Sequence, residues 1–191
     1  MSDPFPLRPL SPSDDDALFA ALTPEVWRLA PTPFGRSREE FDRYLQTARE
    51  SVADGTAEVF TVLFSDVPVG MTRLYAIDRG FRGADLGYTW YRQDLWGGGI
   101  NACVKLAMLR RAFEELDLIR VTFRVDARNE RSQRAVARLG AHREGVLRHD
   151  RILPDGFIRD TVVFSILRAE WPTIEAGLHE RIRTLSPTLV P

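Results

Sequence analysis

Between Asp85 and Leu116 the chain changes period across three consecutive glycines. DLGYTWY has the character of a strand, Gly97-Gly98-Gly99 follow, and INACVKLAMLRRAFEEL places its apolar residues at helical spacing. A strand that runs through glycines into a helix brings backbone N–H groups close to any anion at the bend, and the helix start adds unsatisfied donors and a favourable dipole. A phosphate or pyrophosphate is the natural guest. A tight ligand-free turn accounts for an isolated glycine cluster equally well, so the loop alone decides little. It is not a P-loop, because no Lys-Ser or Lys-Thr follows the glycines to serve the γ-phosphate and its metal. Gly97, Gly99 and Ala102 do satisfy the dinucleotide pattern G-x-G-x-x-A, but that fold needs two βαβαβ halves. Here the segments before the loop read as antiparallel strands, and a hairpin closes the chain.

Those segments are AEVFTVLF and VPVGMTRLYAI, rich in β-branched and aromatic residues and joined by Ser65-Asp66, with the strand at 85–91 after the turn around Gly80 to Gly83. Two helices precede them. The first follows the capping residues Ser11 to Asp16, and the second starts at the S-x-x-E box Ser37/Glu40 and carries Phe41, Tyr44, Leu45, Ala48 and Val52 on one stripe. The segment between, Trp27 to Arg36, holds Pro31 and Pro33 and reads as irregular. Beyond the glycine-loop helix come a strand LIRVTFRVDA, a short helix from Asn129 closed by Gly140, and two strands joined by Pro154-Asp155-Gly156. From Glu170 the sequence suggests an exposed helix and a loose tail. The pattern predicts one α/β domain over 1–191, with a core of about 5–172 and a C-terminal helix or tail over 173–191. Its sheet is mixed but mostly antiparallel, flanked by helices, with the glycine-loop helix making one parallel crossover. The chemistry is expected near Trp90 to Gly99 and Asp126 to Ser132, where such strands end.

Charge narrows the partners. Twenty-six basic and 27 acidic residues leave a net charge of −1, so no global field favours nucleic acid or a membrane surface. Lys105 is the only lysine, and local anion sites therefore rest on arginine. A single cysteine, Cys103, excludes an internal disulfide and suits a reducing, cytoplasmic setting. There is no signal-like or membrane-length apolar run, and His142, His149 and His179 lack metal-ligand spacing, so no metal is expected.

The segment from Gly70 to Trp171 resembles the GNAT superfamily of N-acetyltransferases, in particular its RimJ/RimL-like branch. The resemblance is carried by RVDARNERSQRAVARLGAHREGVLR, with Asn129, Ser132, Gly140, Glu144 and Gly145 standing as N-x-x-S, L-G-A and E-G. The closing DGFIRDTVVFSILRAEWP supports it independently. It implies a GNAT acyl-coenzyme A N-acyltransferase fold with a V-shaped splay between two strands, and acetyl-coenzyme A as cosubstrate. The partner would be an amine acceptor, either a peptide N-terminus or a small amine, and the chain a monomer or homodimer.

The resemblance also assigns residues. Backbone around Tyr88, Thr89 and Trp90 lies along the pantetheine arm, and Trp96, Gly97, Gly98, Gly99, Ile100 and Asn101 surround the pyrophosphate. Asn129 holds the arm, and Arg131 or Arg134 reaches the 3′-phosphate. The arginine or glutamine that usually heads the loop is here Asp94, for which Arg92 or Gln93 would substitute. Ser132 would donate to the departing sulfur. Asp85 fills the slot of a general base two residues before Gly87, with Glu144 and Asp160 as competitors. From the residues alone other roles stay open: Asn129 as a helix cap, the carboxylates as partners of arginines, and the arginines of α-helical segments as a solvated face. Two further functions also stay open, acetylation of a small amine (a polyamine, an amino acid or a toxin) and a non-catalytic acyl-coenzyme A sensor.

Overall fold

The computed structural model describes residues 5–27 and 34–185. Seven strands form one sheet in the order β1-β2-β3-β4-β5-β7-β6: β1 Leu7–Pro9, β2 Glu58–Phe64, β3 Val67–Asp78, β4 Gly83–Tyr91, β5 Arg120–Asp126, β6 His142–Ile152 and β7 Ile158–Leu167. Every neighbouring pair is antiparallel except β4 and β5, which are parallel. The long crossover that a parallel pair requires is the glycine loop and helix α4, Ile100–Arg110, which continues as a wider turn over Arg111–Glu115. Ser65 and Asp66 both take positive φ, 49° and 63°, the backbone that lets a two-residue turn close the β2–β3 hairpin.

Two cores lie on opposite faces of the sheet. On one, α4, α5 (Glu130–Ala137) and α6 (Trp171–Leu185) pack Met108, Phe113, Val136 and Ile174 against Leu74, Leu86, Val121, Phe123 and Ile166. On the other, α1 (Asp15–Ala20) and α3 (Arg38–Ala53) bring Leu18, Phe41, Leu45 and Ala48 onto Val59, Met71 and Trp90. A short helix α2, Pro24–Trp27, follows α1.

Two expectations change, and a third falls mostly outside the described residues. The Ser37/Glu40 box forms by half: Ser37 accepts from Glu40 N–H, but the Glu40 carboxylate turns to the N–H and guanidinium of Arg36. The C-terminal helix is not merely exposed, because Trp171, Ile174 and Leu178 recur at helical spacing and are buried against α4. The core therefore runs past residue 172. Of the segment 27–36, expected to be irregular, residues 28–33 lie outside the described residues, as does the tail 186–191.

Candidate active site

The parallel strands β4 and β5 separate part-way along. They pair at Gly83–Arg120, Ala84–Val121 and Asp85–Thr122, and then β4 continues to Tyr91 and β5 to Asp126 without pairing. The cause is local. Opposite β3, Met71 pairs with Trp90 and Arg73 with Gly87, so β4 carries one extra residue there, and Tyr88 takes a positive φ of 48°. Such a bulge bends a strand and increases its twist, which here turns the end of β4 away from β5. Two strand edges thus present N–H and C=O groups to a common gap, and buried backbone groups require partners.

The glycine loop closes one end of the gap. Gly97 and Gly99 hold φ of 85° and 90°, a conformation strained for any other L-residue, and Gly99 is the residue from which α4 starts. The first hydrogen bonds of the helix run from Ala102 and Cys103 N–H to Gly99 C=O, so the N–H groups of Ile100 and Asn101 precede any intrahelical acceptor. Side chains tie the loop to its surroundings. Trp96 Nε1 donates to Tyr91 C=O at 3.1 Å, and Tyr91 Oη donates to Asn101 Oδ1 at 3.3 Å. The Arg131 guanidinium lies 3.8 Å from the centre of the Trp96 ring, joining α5 to the loop across the mouth of the gap. Asp94 is neutralised locally: Arg92 donates to both its oxygens, at 2.7 and 2.9 Å, and holds its carboxyl below the usual range. Arg92 is therefore committed to Asp94, and Gln93 accepts from Thr23.

At the end of β5 the chain turns into α5. Asn129 Oδ1 accepts from Ser132 N–H at 3.0 Å, a helix cap that leaves the Asn129 amide NH2 to point elsewhere. Ser132 is half-buried, and its hydroxyl has no hydrogen-bond partner among the described residues. Arg134 is exposed and pairs with Glu130 one turn back at 3.0 Å.

The candidate bases differ in setting. Asp85 stands at the fork of the V, the last β4 residue paired to β5, opposite Tyr75 of β3. Its carboxyl is pushed up by burial, against the pull of Arg124 at 3.4 Å. Glu144 has a different job. It accepts from Arg120 at 2.7 and 2.5 Å and from Ser165 Oγ at 2.7 Å, contacts that pull it down to about 2. Arg120 lies level with Gly83, where the strands are still paired, so Glu144 is an arginine partner away from the gap and no longer a candidate base. Asp160 accepts from His149 N–H in the last hairpin.

Of three buried cations among the described residues, Lys105, Arg73 and Arg159, the first two lie beside the gap and escaped the sequence reading. Lys105, only 5% exposed, extends from α4 into the gap: Nζ donates to Thr89 Oγ1 of β4 at 2.7 Å and lies 6.0 Å from the Phe123 ring centre on β5. Thr89 in turn shares a 2.8 Å hydrogen bond with Thr72. Burial pulls the Lys105 ammonium down to about 7. Its signal in the sequence was a sole lysine among Val104, Ala107, Met108 and Leu109. On the opposite face Arg73, 4% exposed, packs its guanidinium 4.5 Å from the Tyr44 ring centre and 4.4 Å from that of Tyr88. Arg73 Nε and Nη2, Tyr44 Oη and Trp90 Nε1 are all buried without a hydrogen-bond partner among the described residues. An unmade bond of that kind costs about 1–3 kcal/mol. No group of three or more metal-ligating side chains gathers among the described residues, and none of their helices is long and apolar enough to cross a membrane.

Comparison with known proteins places this geometry. A family model described as "Acetyltransferase (GNAT) domain" matches residues 5–142. The "Putative ribosomal N-acetyltransferase YdaF" of Bacillus subtilis (strain 168) is 30% identical over 170 residues, covering 86% of this chain and 92% of its own length. A crystal structure of a "putative acetyltransferase" from T. thermophilus superposes with a TM-score of 0.85 at 36% identity, covering 95% of each chain. Mycobacterium smegmatis RimJ, in complex with CoA-disulfide, shares the fold, with a TM-score of 0.79 at 23% identity over 92% of this chain and 88% of that one.

Proposed function

Since the chain belongs to the GNAT family of acetyltransferases, enzymes that draw on acetyl-coenzyme A, we propose that it acetylates the α-amino group of a protein or peptide by direct attack in the gap between β4 and β5. The observation that carries this reading is the loss of pairing after Asp85 and Thr122, beside a glycine loop and a helix start. The ribosomal N-acetyltransferase name of the Bacillus subtilis relative supports a protein acceptor.

The gap fits the donor by its chemistry: two unpaired strand edges for the amides of an extended arm, and clustered N–H groups at Gly97 to Asn101 for a pyrophosphate. Bound acetyl-coenzyme A supplies an activated acetyl thioester. Backbone of Tyr88, Thr89 and Trp90 lines the arm and offers an N–H to the developing oxyanion. The Asn129 amide holds the arm, and Trp96 with Arg131 covers its phosphate end. Arg134, turned to Glu130 on the outer face, is the weaker candidate for the 3′-phosphate.

The attacking amine must be neutral. Asp85, its carboxyl raised by burial and placed at the fork, receives the proton that the amine sheds, directly or through water. As the new C–N bond forms and the C–S bond breaks, Ser132 Oγ donates a hydrogen bond to the departing sulfur, or a proton that the hydroxyl regains from solvent. Lys105 stiffens the site by tying Thr89 to α4.

A thiol-release assay with acetyl-coenzyme A against peptides, polyamines and free amino acids tests donor and acceptor together. Release that depends on a peptide α-amine supports the reading. Release with polyamines only, or coenzyme binding with no release at all, contradicts it.

A further inference from the structure

Resting on the α-amine reading above, we propose that Arg73, Tyr44 and Trp90 form a carboxylate receptor on the acceptor side of the gap, so that the enzyme selects acceptors whose first residue is Asp or Glu. Three observations converge. Arg73 is a buried cation with no carboxylate within ion-pair distance among the described residues, whereas most other described arginines have one. Of the undescribed residues, 28–33, Arg-Leu-Ala-Pro-Thr-Pro, contain no acid, and Asp3 is the one acidic side chain outside the described residues. The buried polar atoms left unbonded among the described residues on this face are also donors or hydroxyls: Arg73 Nε and Nη2, the Oη of the adjoining Tyr44, and Trp90 Nε1. A set of donors on a fixed cation is complementary to an anionic oxygen ligand, and a guanidinium presents paired N–H groups in the geometry a carboxylate accepts.

The placement suits an acceptor. The Arg73 guanidinium lies against Tyr88, the bulge residue from which β4 turns away, and Tyr44 of α3 walls the other side, with the two rings 6.5 Å apart. Phe34 stacks on Tyr44 at 4.4 Å and approaches Trp90 at 6.0 Å, so the three donors belong to one aromatic wall. Arg73 and Tyr75 project from the same side of β3, and Tyr75 faces Asp85. One strand repeat, roughly 7 Å, thus separates the carboxylate seat from the proposed base. An amine and a carboxylate of a single residue span such a site. Arg124, beside Asp85, adds positive charge on the same face and disfavours a polyamine there.

The test is a comparison of matched peptides beginning with Glu or Gln, together with free glutamate and glutamine, in the thiol-release assay. The wild-type enzyme should favour the Glu peptide in kcat/KM by about 10-fold or more, as expected for a charge-assisted pair replaced by a neutral one. Arg73→Met should bring the ratio to within about 2-fold while the KM for acetyl-coenzyme A is unchanged, and the conservative Tyr44→Phe, which removes one hydroxyl only, should reduce it partially. Equal kcat/KM for Glu and Gln peptides would overturn the proposal and leave the peptide reading intact. Preference for free glutamate with inert peptides would keep the carboxylate seat and remove the peptide reading. Calorimetric titration of both peptides into the protein saturated with coenzyme A gives the ranking without turnover, and equal affinities there would also overturn it.

Discussion

The β3–β4 pair carries a buried cation on each face, and the two are resolved in opposite ways. Lys105, on the α4 face, has a hydroxyl partner in Thr89, itself bonded to Thr72, and yields its proton readily, being pulled down to about 7. Arg73, on the α3 face, has two aromatic rings and, among the described residues, no hydrogen bond from its Nε or Nη2. An ammonium can lose its charge when buried, whereas a guanidinium in general cannot. On the proposed reading the donor side of the gap is self-contained, and the acceptor side is completed by the carboxylate of its substrate.

The largest expected effect is one that treats both faces alike. Ser132→Ala should lower kcat about 10²-fold or more for every acceptor, with acetyl-coenzyme A affinity and the Glu/Gln ranking retained, as loss of a general acid predicts. An unchanged kcat would remove Ser132 from the mechanism. Next comes Asp85→Asn, expected to cost at least about 10-fold in kcat/KM at neutral pH. A base must be ionised to act, so in the wild type activity should fall as pH drops through a carboxyl value raised above the ordinary range by burial. Survival of that acid limb in the Asn variant would assign the proton to another group.

Lys105→Met probes the donor side through stability. The folded value of about 7 lies below the ordinary 10.5, so between these two the unfolded chain binds a proton that the folded chain does not. Wild-type stability should therefore rise with pH across that window, by up to about 1.4 kcal/mol per pH unit, with the penalty fully present below about pH 7. The Met variant should lose this slope in denaturant titrations at pH 7 and 9.5, and equal slopes would mean that Lys105 reaches water. The smallest effect is that of Glu144→Gln. With its pair to Arg120 partly exposed, it should change kcat by less than about 2-fold and stability by under ~1 kcal/mol. The depressed Glu144 contribution is present above the ordinary 4.5 and lost as pH falls toward about 2, so wild type and variant should converge in acid.

What was legible in the sequence follows from what is local. Alternation marked the hairpin, Gly97 to Gly99 marked the bend, and Asn129-x-x-Ser132 marked the start of α5, because each depends on neighbours in the chain. The stripe Trp171, Ile174 and Leu178 was equally readable, but it was masked by the helix-disfavouring Pro172 and Gly177 and the charge of Glu175 between its members. Glu144 could not be separated from Asp85 by spacing, since its partner Arg120 is 24 residues away and meets it only across β5, β7 and β6. Arg73 was invisible for the same reason: its burial is made by Tyr44 from a helix and Tyr88 from a bulge in the next strand. The splay itself rests on one extra residue in β4, which no composition signal announces.

Amide hydrogen exchange with and without coenzyme A is the decisive test of the gap. New protection is expected at Leu86 to Tyr91 and at Gly97 to Asn101, with no change where β4 and β5 already pair or along β5–β7. Protection confined to other segments, or none at saturating coenzyme A, would contradict a donor site between these strands.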